Sequence, residues 1–223
     1  MKKMKILAFD TTNQTLSVAI LFDGEIAAQE NILASNQHSS MLIPLIEKCL
    51  NKAEIWYSDL DLIAFTNGPG SFTGIRVGFS CAKALGITTD VPIVAVNSLA
   101  AIAYKYLNDQ KKILIVNDAR LDEFYLQEFV VENGCLKSNF EPILIKDDQI
   151  NEFIPEGEFI LAGSGKLLIE DGLEKAIIHP ENDFIDAVNI AILGEIIFKD
   201  EGAGEENQAL YIRKPKISQR KRK

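Results

Sequence analysis

The chain has 223 residues, 47% hydrophobic and 25% charged, the mixture of a globular protein rather than a disordered one. Its net charge of −9 is uneven: seven of the 23 Lys and Arg and none of the 32 Asp and Glu fall in residues 213–223, so residues 1–212 carry −16. An acidic body repels phosphate backbones, no apolar run approaches the ~18 residues of a membrane span, and three cysteines without a CxxC fit a reduced, cytoplasmic protein.

After the basic Met1-Lys2-Lys3-Met4-Lys5, only four apolar residues precede Asp10, too few for the core of a signal peptide. Residues 6–10 read as a strand ending at Asp10. A second strand follows a few polar residues and reaches Asp23-Gly24, a type I′ hairpin pair. A third strand covers about 25–32. Then the period changes: Met41, Leu42, Leu45, Ile46, Cys49 and Leu50 form the stripe of an amphipathic helix. Ser39 or Ser40 is the expected cap, which puts Pro44 in or near the first turn; an earlier start would make it a kink. A buried strand at 60–66, a helix at 74–87, a strand at 92–96 and a helix from 98 to about 107 complete the unit. The order β-β-β-α-β-α-β is ribonuclease H-like.

The pattern then repeats. Residues 113–134 again run from an aliphatic strand to an aspartate, Asp118, and through a second strand to a hairpin pair, Asn133-Gly134. A strand at 158–161, the turn Ala162-Gly163-Ser164-Gly165 and a helix at 184–198 follow less regularly. Gly202 and Gly204 punctuate the exit, and 209–212 is a short apolar segment. The expected organisation is two ribonuclease H-like halves, 1–108 and 109–212, mixed sheets flanked by helices, with a basic tail at 213–223.

Asn67-Gly68-Pro69-Gly70-Ser71-Phe72-Thr73-Gly74-Ile75-Arg76-Val77-Gly78 is the densest motif. A glycine loop between strand and helix either cradles phosphate on free helix N–H groups or lets the two elements approach closely. It lacks the GK[ST] of a Walker A loop. Taken with ILAFDTTNQTLSVAIL, HSSMLIPLIEKCL, VPIVAVNSLAAIA and NDARLDEFY, and more weakly LAGSG and ALYIRKP, it resembles the TsaB (YeaZ) family. The match covers most of residues 5–130 and thinly the rest. The resemblance implies the duplicated fold of actin, sugar kinases and heat-shock chaperones. It also implies a role beside a paralogue, TsaD, which transfers threonylcarbamoyl from threonylcarbamoyl-AMP to an adenosine next to the tRNA anticodon, with the ATPase TsaE joining them. TRNA is then met through the complex, and the chain alone is expected to pair with a second copy.

The residues themselves bear on catalysis. The two histidines, His38 and His179, form no HxxxH, so a two-histidine metal site is unavailable. Packing or capping is expected for His38, solvent for His179 and burial for the cysteines. Asp10, Thr11, Thr12 and Asp118, with Gly163 and Gly165, stand where phosphotransferases of this fold hold ATP or ADP and magnesium. They are either a nucleotide site or relics of one, and relics are favoured. Arg120 is expected to bridge Asp118 or Asp122. No catalytic residue and no intrinsic cofactor is assigned; the alternative is an ATP-using phosphotransferase or hydrolase acting alone.

Two further features point to partners. Gly74, Gly78, Ala82 and Gly86 recur every four residues on a helix that is apolar nearly all round. The expectation is that this ridge, with Met41, Leu42, Leu45 and Ile46, faces the paralogue or a second copy in a four-helix contact. The basic tail is either a solvated run or a tRNA contact.

Overall fold

A computed structural model describes residues 3–34, 37–169, 173–179, 183–203 and 208–212. The expected features at Gly204 and 213–223 lie outside the described residues.

Aliphatic runs without alternation become central strands covered on both faces. β1 (Lys5–Asp10) is such a run, hydrogen-bonded antiparallel to β2 (Thr15–Phe22) and parallel to β4 (Leu62–Gly68). β3 (Glu25–Leu33) follows the Asp23-Gly24 turn, where both φ angles are positive, and β5 (Ile93–Asn97) closes the sheet in the order β3-β2-β1-β4-β5. The second sheet repeats this plan. β6 (Lys112–Asp118) pairs antiparallel with β7 (Glu123–Glu132) and parallel with β10 (Phe159–Ala162), giving β11-β10-β6-β7-β8. Here β8 is Cys135–Ser138 and β11 is Ala176–Ile177, while an extra strand, β9 (Ile143–Lys146), pairs with the start of β7.

The helices divide the core. α1 (His38–Lys52) and α2 (Phe72–Thr89) cover one face of the first sheet, with Leu42, Leu45, Ile46 and Ala82 packed among Leu7, Phe9, Val18, Ile20 and Phe65. α3 (Ser98–Ala103) packs between the sheets, among Ile6, Ala8, Ile113 and Ile115. α4 (Ala187–Glu201) belongs by sequence to the second half but lies on β1, β2 and β4 of the first. Its start is pinned there, because Ala187 N–H donates to Ser17 Oγ at 2.8 Å and Gln29 Nε2 donates to Asp186 Oδ1 at 2.7 Å. The outer face of the second sheet has a 3-10 stretch, Asp147–Phe153, where the first has α1.

Several boundaries differ from the sequence reading. α1 starts at His38 behind Gln37 with no side-chain cap, so Ser39 and Ser40 lie within its first turn and Pro44 in its interior. The strand expected from residue 60 starts at Leu62. α2 is longer than expected because Ser71 Oγ caps it, accepting from Gly74 N–H at 3.2 Å. α4 starts three residues late, at the point where Asp186 accepts from Val188 N–H.

Candidate functional site

The two halves enclose a cleft of about 1460 Å³, lined by Thr12, Ser71, Asp118, Arg120, Gly163 and Lys166 among others. Its first wall is the end of β1. Asp10 is fully buried; its Oδ1 accepts from Thr12 N–H at 2.9 Å, Thr12 Oγ1 at 2.6 Å and Thr66 Oγ1, while Oδ2 has no partner. Burial pushes this carboxyl above the ordinary aspartate range, against the opposing pull of those hydrogen bonds. Thr11 Oγ1 donates to Gly74 O at 2.7 Å, and Ser71 N–H donates to Thr12 O at 2.8 Å. The turn expected to hold phosphate is thus clamped to the head of α2.

The second wall is the turn after β10. Gly163 N–H donates to Asp183 Oδ2 at 2.9 Å, Ser164 N–H to Asn117 Oδ1 at 3.0 Å and Gly165 N–H to Val116 O at 2.9 Å. Asp183 is held by Lys166 Nζ at 2.7 Å and by the Tyr106 hydroxyl. Three amides that could meet a phosphate are therefore used within the chain, and a carboxylate stands against one of them. Gly163 has a packing reason: with φ +103°, its missing Cβ would lie 2.4 Å from Val116 O. Asp118 N–H bonds Ser164 Oγ, and its carboxylate accepts from Arg120 N–H at 2.7 Å. Asp10 does not line the cleft, and the amides of Thr12, Gly163, Ser164 and Gly165 are already bonded within the chain. Among the described residues no three His, Cys, Asp or Glu side chains converge as metal ligands.

Asp10 yields a stability prediction. Because its folded pKa is raised, its neutral form stabilises the fold below the ordinary aspartate pKa, and that contribution is lost as pH rises through the folded value. Asp10→Asn keeps the acceptor and removes the buried charge. The stability of the variant relative to the parent is expected to rise as pH increases from about 4 to 7, read in denaturant titrations.

The small-residue ridge requires a correction. Gly74, Gly78 and Ala82 are buried within their own half, as are Leu42, Leu45 and Ile46; Met41 is half-buried. The missing Cβ of Gly74 would lie 1.9 Å from Thr11 O, that of Gly78 2.6 Å from Thr11 Oγ1, and that of Gly86 2.8 Å from Ile93 Cγ2. The ridge brings α2 onto the chain's own strands, so it cannot also face a partner. What faces outward is the groove between α1 and α2, about 480 Å³, lined by Ser39, Ile43, Phe72, Arg76, Ser80 and Cys81 among others. Phe72, Ile43 and, farther along α2, Ile87 are 38, 40 and 82% exposed. The Arg76 guanidinium stacks 3.9 Å from the Phe72 ring centre.

Other expectations divide. His38 is half-buried at the cleft with Nε2 unpartnered. His179 is not a solvent residue; its ring packs 5.2 Å from Tyr106 and its carbonyl accepts from Lys166 Nζ. Cys49 is buried and Cys81 half-buried, with thiols pushed up to about 11 by burial, but Cys135 is exposed beside its hairpin turn. Arg120 pairs with Asp118 at 3.6 Å. Sequence reasoning missed Lys166, Asp183 and Tyr106, which belong to no motif. It also missed that Arg120, Leu121 and Asp122 all have positive φ.

The chain matches the family model for TsaD, tRNA N6-adenosine threonylcarbamoyltransferase, over residues 30–182. It is 34% identical over 142 residues to the tRNA threonylcarbamoyladenosine biosynthesis protein TsaB of Haemophilus influenzae, a stretch that spans 63% of this chain and 59% of that one. With the TsaB of Buchnera aphidicola subsp. Schizaphis graminum it shares 32% over 186 residues, 78% of this chain and 88% of that one. A Pseudomonas aeruginosa crystal structure described as similar to peptidase YeaZ superimposes with a TM-score of 0.85 at 23% identity, covering 94% of this chain and 100% of that one. A Thermus thermophilus ROK hexokinase gives 0.54 at 12% identity, covering 88% and 100%. These two show the fold, the duplicated α/β plan shared with sugar kinases. Among the described residues no helix is long and apolar enough to cross a membrane.

Proposed function

Because the chain belongs to the TsaB family, we propose that it is a non-catalytic partner of a TsaD transferase in tRNA threonylcarbamoyladenosine synthesis. The observation that carries this reading is the contrast between the two surfaces. The amides of Gly163, Ser164 and Gly165 in the cleft are consumed internally, whereas the α1–α2 groove presents Ile43, Phe72 and Arg76 outward, each still exposed among the described residues. An apolar groove flanked by a stacked arginine has the composition of a protein contact. The transferase paralogue occupies it in the working complex, and a second copy of this chain occupies it in isolation. TsaE and tRNA join through that cytoplasmic complex.

Co-purification with the transferase, followed by tRNA modification with and without this chain, tests the reading. A stable complex and modification that depends on both proteins are expected. Calorimetric titration with magnesium and ATP tests the other class: micromolar binding by the isolated chain, abolished by Asp10→Ala, would establish an independent nucleotide enzyme and overturn the scaffold reading.

A further inference from the structure

After α4 the chain returns to the first half, and residues 208–212 lie as a strap along the loop that joins β4 to α2. Asn67 holds the strap twice: Leu210 N–H donates to Asn67 O at 2.8 Å, and Asn67 Nδ2 donates to Gln208 O at 3.0 Å. Gly68 leaves room for it, since a Cβ there would lie 2.8 Å from Leu210 O. At its far end Ile212 packs on the core shared by the two sheets. Between these fixed points Tyr211 sets its ring 5.2 Å from that of Phe72, tilted by 49°. Phe72 opens α2, and its ring also carries the Arg76 guanidinium at 3.9 Å. Phe72 and Arg76 line the α1–α2 groove, whereas Tyr211 lines the cleft and not the groove. The glycine motif is thus divided between two tasks: Asn67 and Gly68 seat the strap, while Gly70, Ser71 and Gly74 meet the Thr11-Thr12 turn.

We propose that Tyr211 is a positioning residue for the groove: held by the strap, it keeps the Phe72 ring, and the Arg76 guanidinium stacked on it, in the arrangement that a partner meets. The proposal rests on the reading of the groove as the transferase contact. Phe72 is 38% exposed in the first turn of its helix, and a ring so exposed has more than one rotamer open to it unless a neighbour selects one. Arg76 is exposed one turn later, and a side chain of that length is costly to order on binding. Aromatic pairs at this separation attract each other in tilted geometry. A guanidinium over a ring face is held by cation–π attraction and stacking. The two contacts together restrict both groove residues before a partner arrives, so part of the ordering cost of association is already met within the chain. Tyr211 acts on the partner through Phe72, and Asn67 and Ile212 act through Tyr211.

The test measures the kinetics of association between the full chain and the transferase, in variants first shown to unfold cooperatively. Tyr211→Ala is expected to weaken binding about 3–10-fold, chiefly by slowing association, because a smaller fraction of molecules holds the competent arrangement. Dissociation is expected to change less than about twofold. Tyr211→Phe keeps the ring and is expected to bind within about twofold of the parent. Asn67→Ala removes the side-chain half of the clamp and is expected to weaken binding about 2–3-fold by the same route; it carries the comparison if Tyr211→Ala does not fold. In a Phe72→Ala background, adding Tyr211→Ala is expected to cost less than about twofold more, since its route to the partner is gone. Parent-like association of a folded Tyr211→Ala chain overturns the proposal. So does an undiminished effect of Tyr211→Ala in the Phe72→Ala background, or a Tyr211→Phe chain as weak as Tyr211→Ala, either of which would make Tyr211 a direct contact. A parent chain that does not bind the transferase at all is a different result, because it removes the functional reading and this proposal with it.

Discussion

Gly74→Ala is expected to cost about 3–5 kcal/mol in stability, although the same change in an ordinary helix interior gains up to ~1 kcal/mol. The reversal follows from one distance. A Cβ built at Gly74 lies 1.9 Å from the Thr11 carbonyl oxygen and 2.9 Å from its carbon, both backbone atoms of the β1–β2 turn. No side-chain rotation relieves that contact, so α2 must move away from the turn by more than 1 Å, about the shortfall from an ordinary contact. The displacement would also strain the Thr11 Oγ1 bond to Gly74 O and the Ser71 N–H bond to Thr12 O. For a chain of this size the expected fall in melting temperature is on the order of 10 °C. Gly86→Ala is the milder comparison: its obstacles are the Cγ2 methyl of Ile93 at 2.8 Å and the Val91 carbonyl oxygen at 3.2 Å, both farther off than Thr11 O is from Gly74. Its expected cost is under about 1.5 kcal/mol. Denaturant titrations of both variants check the difference; equal stabilities would show that α2 does not sit on the turn as described.

The same residues show how far the sequence could be read. Local rules located the hairpin at Asp23-Gly24, the central strands and both long helices of the first half, because each has its own chemical signature within a few residues. The four-residue ridge on α2 was equally visible, and so was the inference that something approaches it closely. Its direction was not visible. A spacing of four says which residues share a face but not which neighbour that face meets, and the neighbour, Thr11, lies 63 residues earlier. The placement of α4 on the first sheet failed to show for the same reason. It is fixed by contacts such as Ala187 with Ser17, 170 residues apart. At the cleft, Asp10, Asp118 and the Gly163-Ser164-Gly165 turn could be named from the repeat. That their donors are already occupied depends on Asp183 and Asn117, which no local pattern connects to them.

Two arginines placed two residues apart separate the surfaces most sharply. Ala82→Arg introduces a guanidinium at a site that is 0% exposed, among Leu7, Phe9 and Phe65. With no acidic partner in that cluster, it is expected to cost more than about 4 kcal/mol and to abolish cooperative folding. Ser80 lies ~200° away around the same helix, exposed and lining the α1–α2 groove. Ser80→Arg is expected to change stability by no more than about 0.5 kcal/mol, with a few tenths of that from repulsion by Arg76 one turn earlier. Its effect falls on association instead. A second cation placed in the groove beside Arg76 is left unpaired when the surface is covered, and burying it is expected to weaken pairing at least about a hundredfold, the equivalent of ~3 kcal/mol. Thermal unfolding and sedimentation of both variants, alone and with the transferase, read the two effects separately. A folded Ser80→Arg chain that still pairs would move the contact away from this groove, and a folded Ala82→Arg chain would return the small-residue ridge to the surface.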